Sequence, residues 1–313
     1  MSTIRFDGRT VIITGAGGGL GRAYALEIAA RGGAVVVNDL GGSVAGGSGA
    51  SSAMAEEVVA EIRAAGGKAV ADASDVASAE GGQAMVQAAL DAFGRVDAVI
   101  ANAGNMRFGP FEELTAEDLD SLLAVHVRGS FNVAHASWSH MKAQGFGRIV
   151  FTTSSGGMLG LPQLSAYGAA KGGVMGLMHG LSEEGRPHGI LCNAVMPNAA
   201  SRMAAAMGPG TLGANPWVET LYPAFDPRYT AGLVAFLAHE SCTSTHAVYS
   251  AAGGRIARMF VGATKGWNGP LEAPPTAEDV AAHFDEIGDD TRGYAIPANA
   301  FDEFRIVAEG RAQ

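Results

Sequence analysis

Thr10-Val-Ile-Ile-Thr-Gly-Ala-Gly-Gly-Gly-Leu-Gly21 is the stretch that decides how this chain folds. Thr10 to Thr14 is a short β-branched run and reads as a buried strand. A glycine loop follows at once, and Leu20 to Arg31 carries the apolar spacing of a helix. A glycine loop alone could be a flexible turn. Between a strand and a helix it is the arrangement that binds a dinucleotide. Gly15 permits the turn, Gly19 lets backbone approach a pyrophosphate, and Gly21 allows close contact between helix and strand. The N–H groups of Gly19, Leu20 and Gly21, at the helix start, are then available to phosphate.

Outward from this unit the rhythm repeats. Ala34 to Asn38 reads as the second strand, Ser51 to Ala65 as a helix and Lys68 to Asp72 as the third strand. A helix over Ala79 to Phe93 and a strand over Val96 to Ala101 follow. Next come a long helix from about Ala116 to Gln144 and a strand over Arg148 to Thr152. The last pair is a helix from about Ser165 to Glu184 and the strand Ile190 to Met196. Apolar runs without alternation mean strands buried on both faces. Strands alternating with helices predict an α/β fold: a doubly wound, Rossmann-type parallel sheet flanked by helices.

Asp39 follows the second strand, where an acidic side chain accepts from the adenosine ribose hydroxyls. A 2′-phosphate would crowd negative charge beside it. No Lys or Arg occurs between Leu40 and Ile62 to offset that charge, so NAD is expected rather than NADP. Asp75-Val76 follows the third strand and reads either as an adenine contact or as an ordinary helix-start acid. Asn102-Ala103-Gly104 ends the fourth strand, at the switch point where ligands bind in such sheets.

Tyr167-Gly-Ala-Ala-Lys171, with Ser154 thirteen residues before the tyrosine, proposes a reaction. Residues four apart share one face of a helix. A phenol in water loses its proton near pH ~10, and a lysine cation beside it favours the phenolate. A shift of about two units is roughly 3 kcal/mol of differential interaction. Tyr167 and Lys171 can thus form a tuned acid–base group, with Ser154 holding the substrate oxygen. Ser155 is the alternative if the loop register differs by one. Taken alone, such a pair is more often a surface contact; behind the glycine loop it acquires a purpose.

The composition narrows the remaining classes. The chain has 313 residues, 48% hydrophobic and 17% charged, as expected of one large α/β domain with additions. Net charge of −10 argues against nucleic acid or an anionic membrane as the main partner. Cys192 and Cys242 show neither a disulfide framework nor metal-ligand spacing, and no metal is expected. No run of 18 apolar residues suggests a membrane span, and the first residues lack a signal-peptide core.

Together the glycine loop, Asn102-Ala-Gly104, Ser154 and Tyr167-x-x-x-Lys171 resemble the short-chain dehydrogenase/reductase family over about Asp7 to Gly254. Further stretches are similar to the dehydrogenase part of the peroxisomal multifunctional enzymes of β-oxidation. These are Val37-Asn-Asp-Leu-Gly-Gly42, Val127-Arg-Gly-Ser-Phe131, Pro197-Asn-Ala-Ala-Ser-Arg-Met203 and His239-Glu-Ser-Cys242. That likeness implies an NAD-dependent oxidoreductase of lipid metabolism. It would act on a secondary alcohol, a 3-hydroxyacyl-CoA or a hydroxysteroid of the 17β type, as a homodimer or homotetramer built through two long helices. It also implies that Lys171 holds the nicotinamide ribose and that Pro197 and Asn198 border the cofactor. The usual Asn that holds a relay water near the lysine is replaced by His126, which either continues the relay or caps local packing. Many relatives have Gly where this chain has Asn198. The chain ends without a Ser-Lys-Leu signal, so a stand-alone cytoplasmic enzyme is expected.

Three segments fall outside this frame. Gly41 to Gly49 is a glycine- and serine-rich loop. Ala199 to Tyr229, with four prolines and several aromatics, reads as a substrate lid on a core of residues 1–254. Arg255 to Gln313 reads as an extension with helices near Thr276–Ile287 and Asn299–Glu309. Within the catalytic helix, Gly168, Gly172, Gly176 and Gly180 recur every four residues, each costing a helix roughly 0.8–1 kcal/mol against alanine. The stripe faces either this chain's own packing or another subunit's helix. Two other functions stay open: a dehydrogenase of a small alicyclic or terpenoid alcohol, and a nucleotide-binding regulatory protein without chemistry.

Overall fold

The computed structural model describes residues 3–42, 51–199, 220–221 and 224–311. Most of the expected lid and most of the 41–49 loop lie outside the described residues. The chain divides into two compact units, Met1–Arg258 and Met259–Gln313.

The first unit carries an eight-stranded sheet. Its strands are β1 (Thr10–Thr14), β2 (Ala34–Asn38), β3 (Lys68–Asp72), β4 (Ala98–Ala101), β5 (Gly147–Thr152), β6 (Ile190–Pro197), β7 (Ala247–Ala252) and β8 (Arg255–Met259). The order across the sheet is β3-β2-β1-β4-β5-β6-β7-β8. Every pair from β3 to β7 is parallel. The order reverses between β1 and β4, which places the crevice for a ligand beyond their C-terminal ends. β1, β2, β4 and β5 are buried along their whole length, as unalternating apolar runs require.

The flanking helices are α1 (Gly19–Ala30), α2 (Ala53–Ala64), α3 (Ala79–Phe93), α4 (Ala116–Leu123), α5 (Gly129–Gln144), the short α6 (Ser155–Met158), α7 (Ser165–Gly185) and α8 (Arg228–Ala238). α1 and α2 bury Tyr24, Ile28, Val58 and Ile62 against Val11, Ile13, Val35 and Val37. The expected single helix over 116–144 differs in one respect. A π-turn, Ala124–Arg128, interrupts it and carries His126. Such wide turns re-aim one residue of a helix and are common at functional sites. α8, β7 and β8 have no counterpart among the elements expected from the sequence. Gly253 and Gly254, at φ 57° and 80°, make the two-residue turn from β7 into β8.

In the second unit, β9 (Ala263–Thr264) pairs antiparallel with β10 (Tyr294–Ala295). The helix expected over 276–287 is two short ones, α9 (Ala277–Ala282) and α10 (Phe284–Gly288). Thr276 and Asp279 form a capping box that starts α9. The break falls at His283, whose ring stacks on Trp267 at 4.3 Å. α11 (Ala300–Arg311) follows. None of these helices has a buried residue. Among the described residues no helix is long and apolar enough to cross a membrane.

Candidate active site

The residues singled out from the sequence gather at the C-terminal ends of β1, β2, β4, β5 and β6. At β1, Gly15 and Gly19 have φ of 63° and 52°, which only glycine adopts without strain. A Cβ on Gly15 would stand 2.8 Å from Ala103 Cα, and one on Gly21 would stand 2.3 Å from Gly15 O. Gly19 meets nothing within 4 Å, so its outer side is open to a ligand. α1 begins at Gly18 without any side-chain cap. Its first N–H groups, including those of Leu20 and Gly21, are thus left for an anion.

Asp39 is 9% exposed. Its carboxylate accepts from Gly17 N–H at 2.9 Å and Gly41 N–H at 2.8 Å. A Cβ at Gly17 would lie 2.8 Å from the same oxygen. Arg22, the basic side chain nearest in sequence to the loop, pairs with Glu61 instead. These residues fit a nicotinamide dinucleotide: a capless helix start for the pyrophosphate and a carboxylate for ribose hydroxyls.

Asn102, Asp75 and Val76 have local structural work. The Asn102 amide donates to Thr14 O and Gly15 O, and Thr14 Oγ1 accepts from the N–H groups of Asn102 and Ala103. Asn102 therefore clamps the glycine loop to β4. Asp75 accepts from Ala77 N–H, as a helix-start acid does, while Val76 is buried and its carbonyl accepts from the Asn132 amide. Pro197 closes β6, and Asn198 N–H donates to Ala251 O.

Ser154 lies two residues past β5 and caps α6, its Oγ accepting from Gly156 N–H at 3.1 Å. Tyr167 and Lys171 lie one turn apart on α7, 6% and 3% exposed. Burial raises the Tyr167 phenol pKa, and a hydrogen bond with Ser154 lowers it in part. Ser155 begins α6. Lys171 Nζ donates to Thr152 O at 2.7 Å and stands 5.7 Å from the centre of the Tyr167 ring. Burial pulls its pKa down to about 7. Desolvation is the largest influence on both groups. A sequence shows spacing but not the solvent each group loses.

His126 is buried under Tyr167, the rings edge-to-face at 5.5 Å. Its pKa lies well below the usual imidazole value, through burial and then the Lys171 charge, against the Asn105 backbone bond. A Cβ on Gly104 would stand 2.5 Å from His126 Cε1, so this glycine makes room for the ring. Sequence reasoning missed the apolar wall beside Tyr167, formed by Met106, Leu122, Leu164 and Ala166 with Phe108 and Leu114 packed on it. The scattered apolar residues of 106–123 were its only signal.

Residues 9–208 match the short chain dehydrogenase family. The chain belongs to that family. Over 295 residues it is 44% identical to peroxisomal multifunctional enzyme type 2 of Mus musculus, matching 92% of this chain and 38% of that protein. It is 43% identical over 281 residues to a putative short-chain type dehydrogenase/reductase of Mycobacterium tuberculosis, covering 90% and 94%. The solved full-length peroxisomal multifunctional enzyme type 2 of Drosophila melanogaster superposes with a TM-score of 0.77 at 30% identity, over 98% of this chain and 50% of that one. The chain therefore spans half or less of the length of these two multifunctional relatives. It is an oxidoreductase of a family that uses NAD(P) and acts on CH–OH groups.

Proposed function

We propose that the protein is an NAD-dependent dehydrogenase that interconverts a secondary alcohol and a ketone, its substrate a 3-hydroxyacyl-CoA or a 17β-type hydroxysteroid. The observation that carries this reading is Tyr167 and Lys171, buried one turn apart on α7 with Ser154 beside the phenol, at the end of the sheet that holds the glycine loop. NAD supplies the hydride acceptor when bound. Tyr167 takes the hydroxyl proton as the carbon is oxidised. Ser154 holds the substrate oxygen and steadies its developing charge. Lys171, when protonated, favours the phenolate. The apolar wall from Met106 to Ala166, with exposed Leu159 and Leu161, suits a bulky apolar substrate. The multifunctional relatives favour the acyl-CoA. Two buried free thiols suit a reducing compartment such as the cytoplasm. The test is NADH absorbance at 340 nm with acyl-CoA, steroid and small alicyclic alcohols side by side. Turnover of the alicyclic set alone would replace the substrate assignment, and silence with every alcohol would favour a regulatory nucleotide binder.

NAD should exceed NADP by at least about tenfold in kcat/KM, because Asp39 leaves two negative charges no offset. Asp39→Ala should narrow the gap. Equal use of both cofactors by the wild type would contradict the reading.

The same reading includes a homodimer through α5 and α7. The glycine stripe divides in the structure. Cβ atoms at Gly168 and Gly172 would approach Gly156 O and Gly157 O, so these two pack internally. Gly176 and Gly180 meet nothing within 4 Å. They line an apolar groove with Phe131, Trp138, Leu177 and Leu181. Gly176→Leu should reduce the mass in light scattering at micromolar concentration while the circular dichroism stays native. A wild type that is already monomeric there would refute the dimer.

A further inference from the structure

Gln163 and His246 are the non-glycine residues that adopt a positive φ among the described residues, at 62° and 63°. A side chain there crowds its own backbone, and glycine alone escapes the cost. At His246 the offset is visible. Its ring stacks on His179 at 4.4 Å, and its Nδ1 lies 2.7 Å from Ser182 Oγ. Gln163 has no such offset. Its carbonyl accepts from Gly109 N–H at 3.2 Å, a bond that glycine would make equally well. Its side chain is exposed, and the amide makes no hydrogen bond among the described residues. Backbone strain of this kind gathers where ligands are held. The position fits that rule, because two segments of the apolar wall meet at Gln163. Gly109 follows Phe108 of one segment. Leu164, next in the chain, precedes α7 and packs in the wall with Met106 and Tyr167.

We propose that Gln163 is a specificity-determining residue, its side-chain amide donating to a carbonyl that one methylene separates from the substrate's carbinol. An amide offers two N–H donors and an oxygen acceptor. A 3-hydroxyacyl thioester carries a carbonyl at that spacing from the carbon oxidised beside Tyr167 and Ser154. A 17β-hydroxysteroid does not: ring carbons flank its carbinol, and its second oxygen lies at the far end of the skeleton. The apolar wall accepts either skeleton and cannot choose between them. The amide can. A donor that loses water when substrate enters and finds no acceptor counts against the substrate that lacks one. Of the two substrate classes, Gln163 therefore selects the thioester. The inference rests on the proposed oxidation at Tyr167.

The experiment compares racemic 3-hydroxyoctanoyl-CoA with 2-octanol, by NADH formation, in the wild type and in variants of Gln163. The quantity read is the preference for the thioester, the ratio of the two kcat/KM values. Gln163→Gly removes the amide and relieves the backbone, so its denaturant midpoint should not fall. Its preference should fall about tenfold, the order of one hydrogen bond. A residue that only shaped the turn would leave the preference alone. Gln163→Met keeps the length and the strained backbone but has no donor, and its preference should fall as far. Gln163→Asn, an amide that tolerates positive φ, should keep part of it. An unchanged preference in the glycine or the methionine variant overturns the proposal. A wild type that oxidises 2-octanol and ignores the thioester also overturns it, and leaves the dehydrogenase reading standing. A wild type silent with both refutes the reaction. Calorimetric binding of the thioester with NAD present then decides: weaker binding by Gln163→Gly supports the assignment, and equal affinity, or no binding by the wild type, overturns it.

Discussion

Tyr167→Phe should reduce turnover by at least a hundredfold while the affinity for NAD stays within a few-fold of wild type. The magnitude follows from the role. A positioned acid–base group contributes typically about 10²–10⁴-fold, and the phenylalanine ring keeps the packing against Met106, Leu164 and Ala170 while removing only the oxygen. The dinucleotide cradle, Gly15 to Gly21 with Asp39, is built from other elements and should be untouched. Burial raises the phenol's pKa, so the protein near neutral pH holds the proton on Tyr167. The sign of the pH effect follows. Alcohol oxidation needs the phenolate and should quicken as pH rises. Ketone reduction needs the phenol as donor and should weaken over the same range. Initial rates in both directions, with NAD binding by fluorescence, test all three statements. Residual turnover above a tenth of wild type would remove Tyr167 from the chemistry.

The cofactor end was legible because its constraints are local. Positive φ at Gly15 and Gly19 and close approach at Gly21 are demands on single residues, and glycine is the only residue that meets them. The Tyr167–Lys171 spacing was equally local. What the sequence did not disclose were properties that arise only on assembly. The Asn102 amide holds the glycine loop, which spacing alone cannot show. The loss of solvent that governs Tyr167 and Lys171 depends on every neighbour. α8 and β7 are apolar runs that periodicity alone does not sort into helix and strand. The glycine stripe, uniform in sequence, splits because α6 covers only its first half.

Arg148→Ala should lower stability by about 3–5 kcal/mol, the cost of two or so buried carbonyls left bare and a large fraction of the roughly 5–15 kcal/mol that holds a typical domain folded. Arg148 is the second residue of β5, at the end of the sheet opposite the active site, and its side chain is buried. Among the described residues no carboxylate forms an ion pair with it. Its donors go to five carbonyls instead: Gly147 O at 2.8 Å, Gly189 O and Cys242 O at 3.2 Å, and His239 O and Glu240 O at 3.3 Å. It lies over the Phe146 ring at 4.4 Å, a ring it shares with Arg9. Burial lowers its pKa, yet it retains the fork geometry that reaches several acceptors at once. Three of those acceptors belong to His239-Glu-Ser-Cys242, so that run of sequence reads as the receiving side of an arginine socket. Alanine would leave the carbonyls bare, at about 1–3 kcal/mol for each that water cannot reach. Arg148→Lys keeps a charge but not the fork and should recover only part of the loss. Denaturant midpoints at unchanged slope measure the effect. Because the socket is remote from Tyr167, the fraction that remains folded should keep the wild-type KM. A loss below about 1 kcal/mol would mean that the five carbonyls rehydrate or re-pair, and that the socket orients the 239–242 segment without stabilising the sheet.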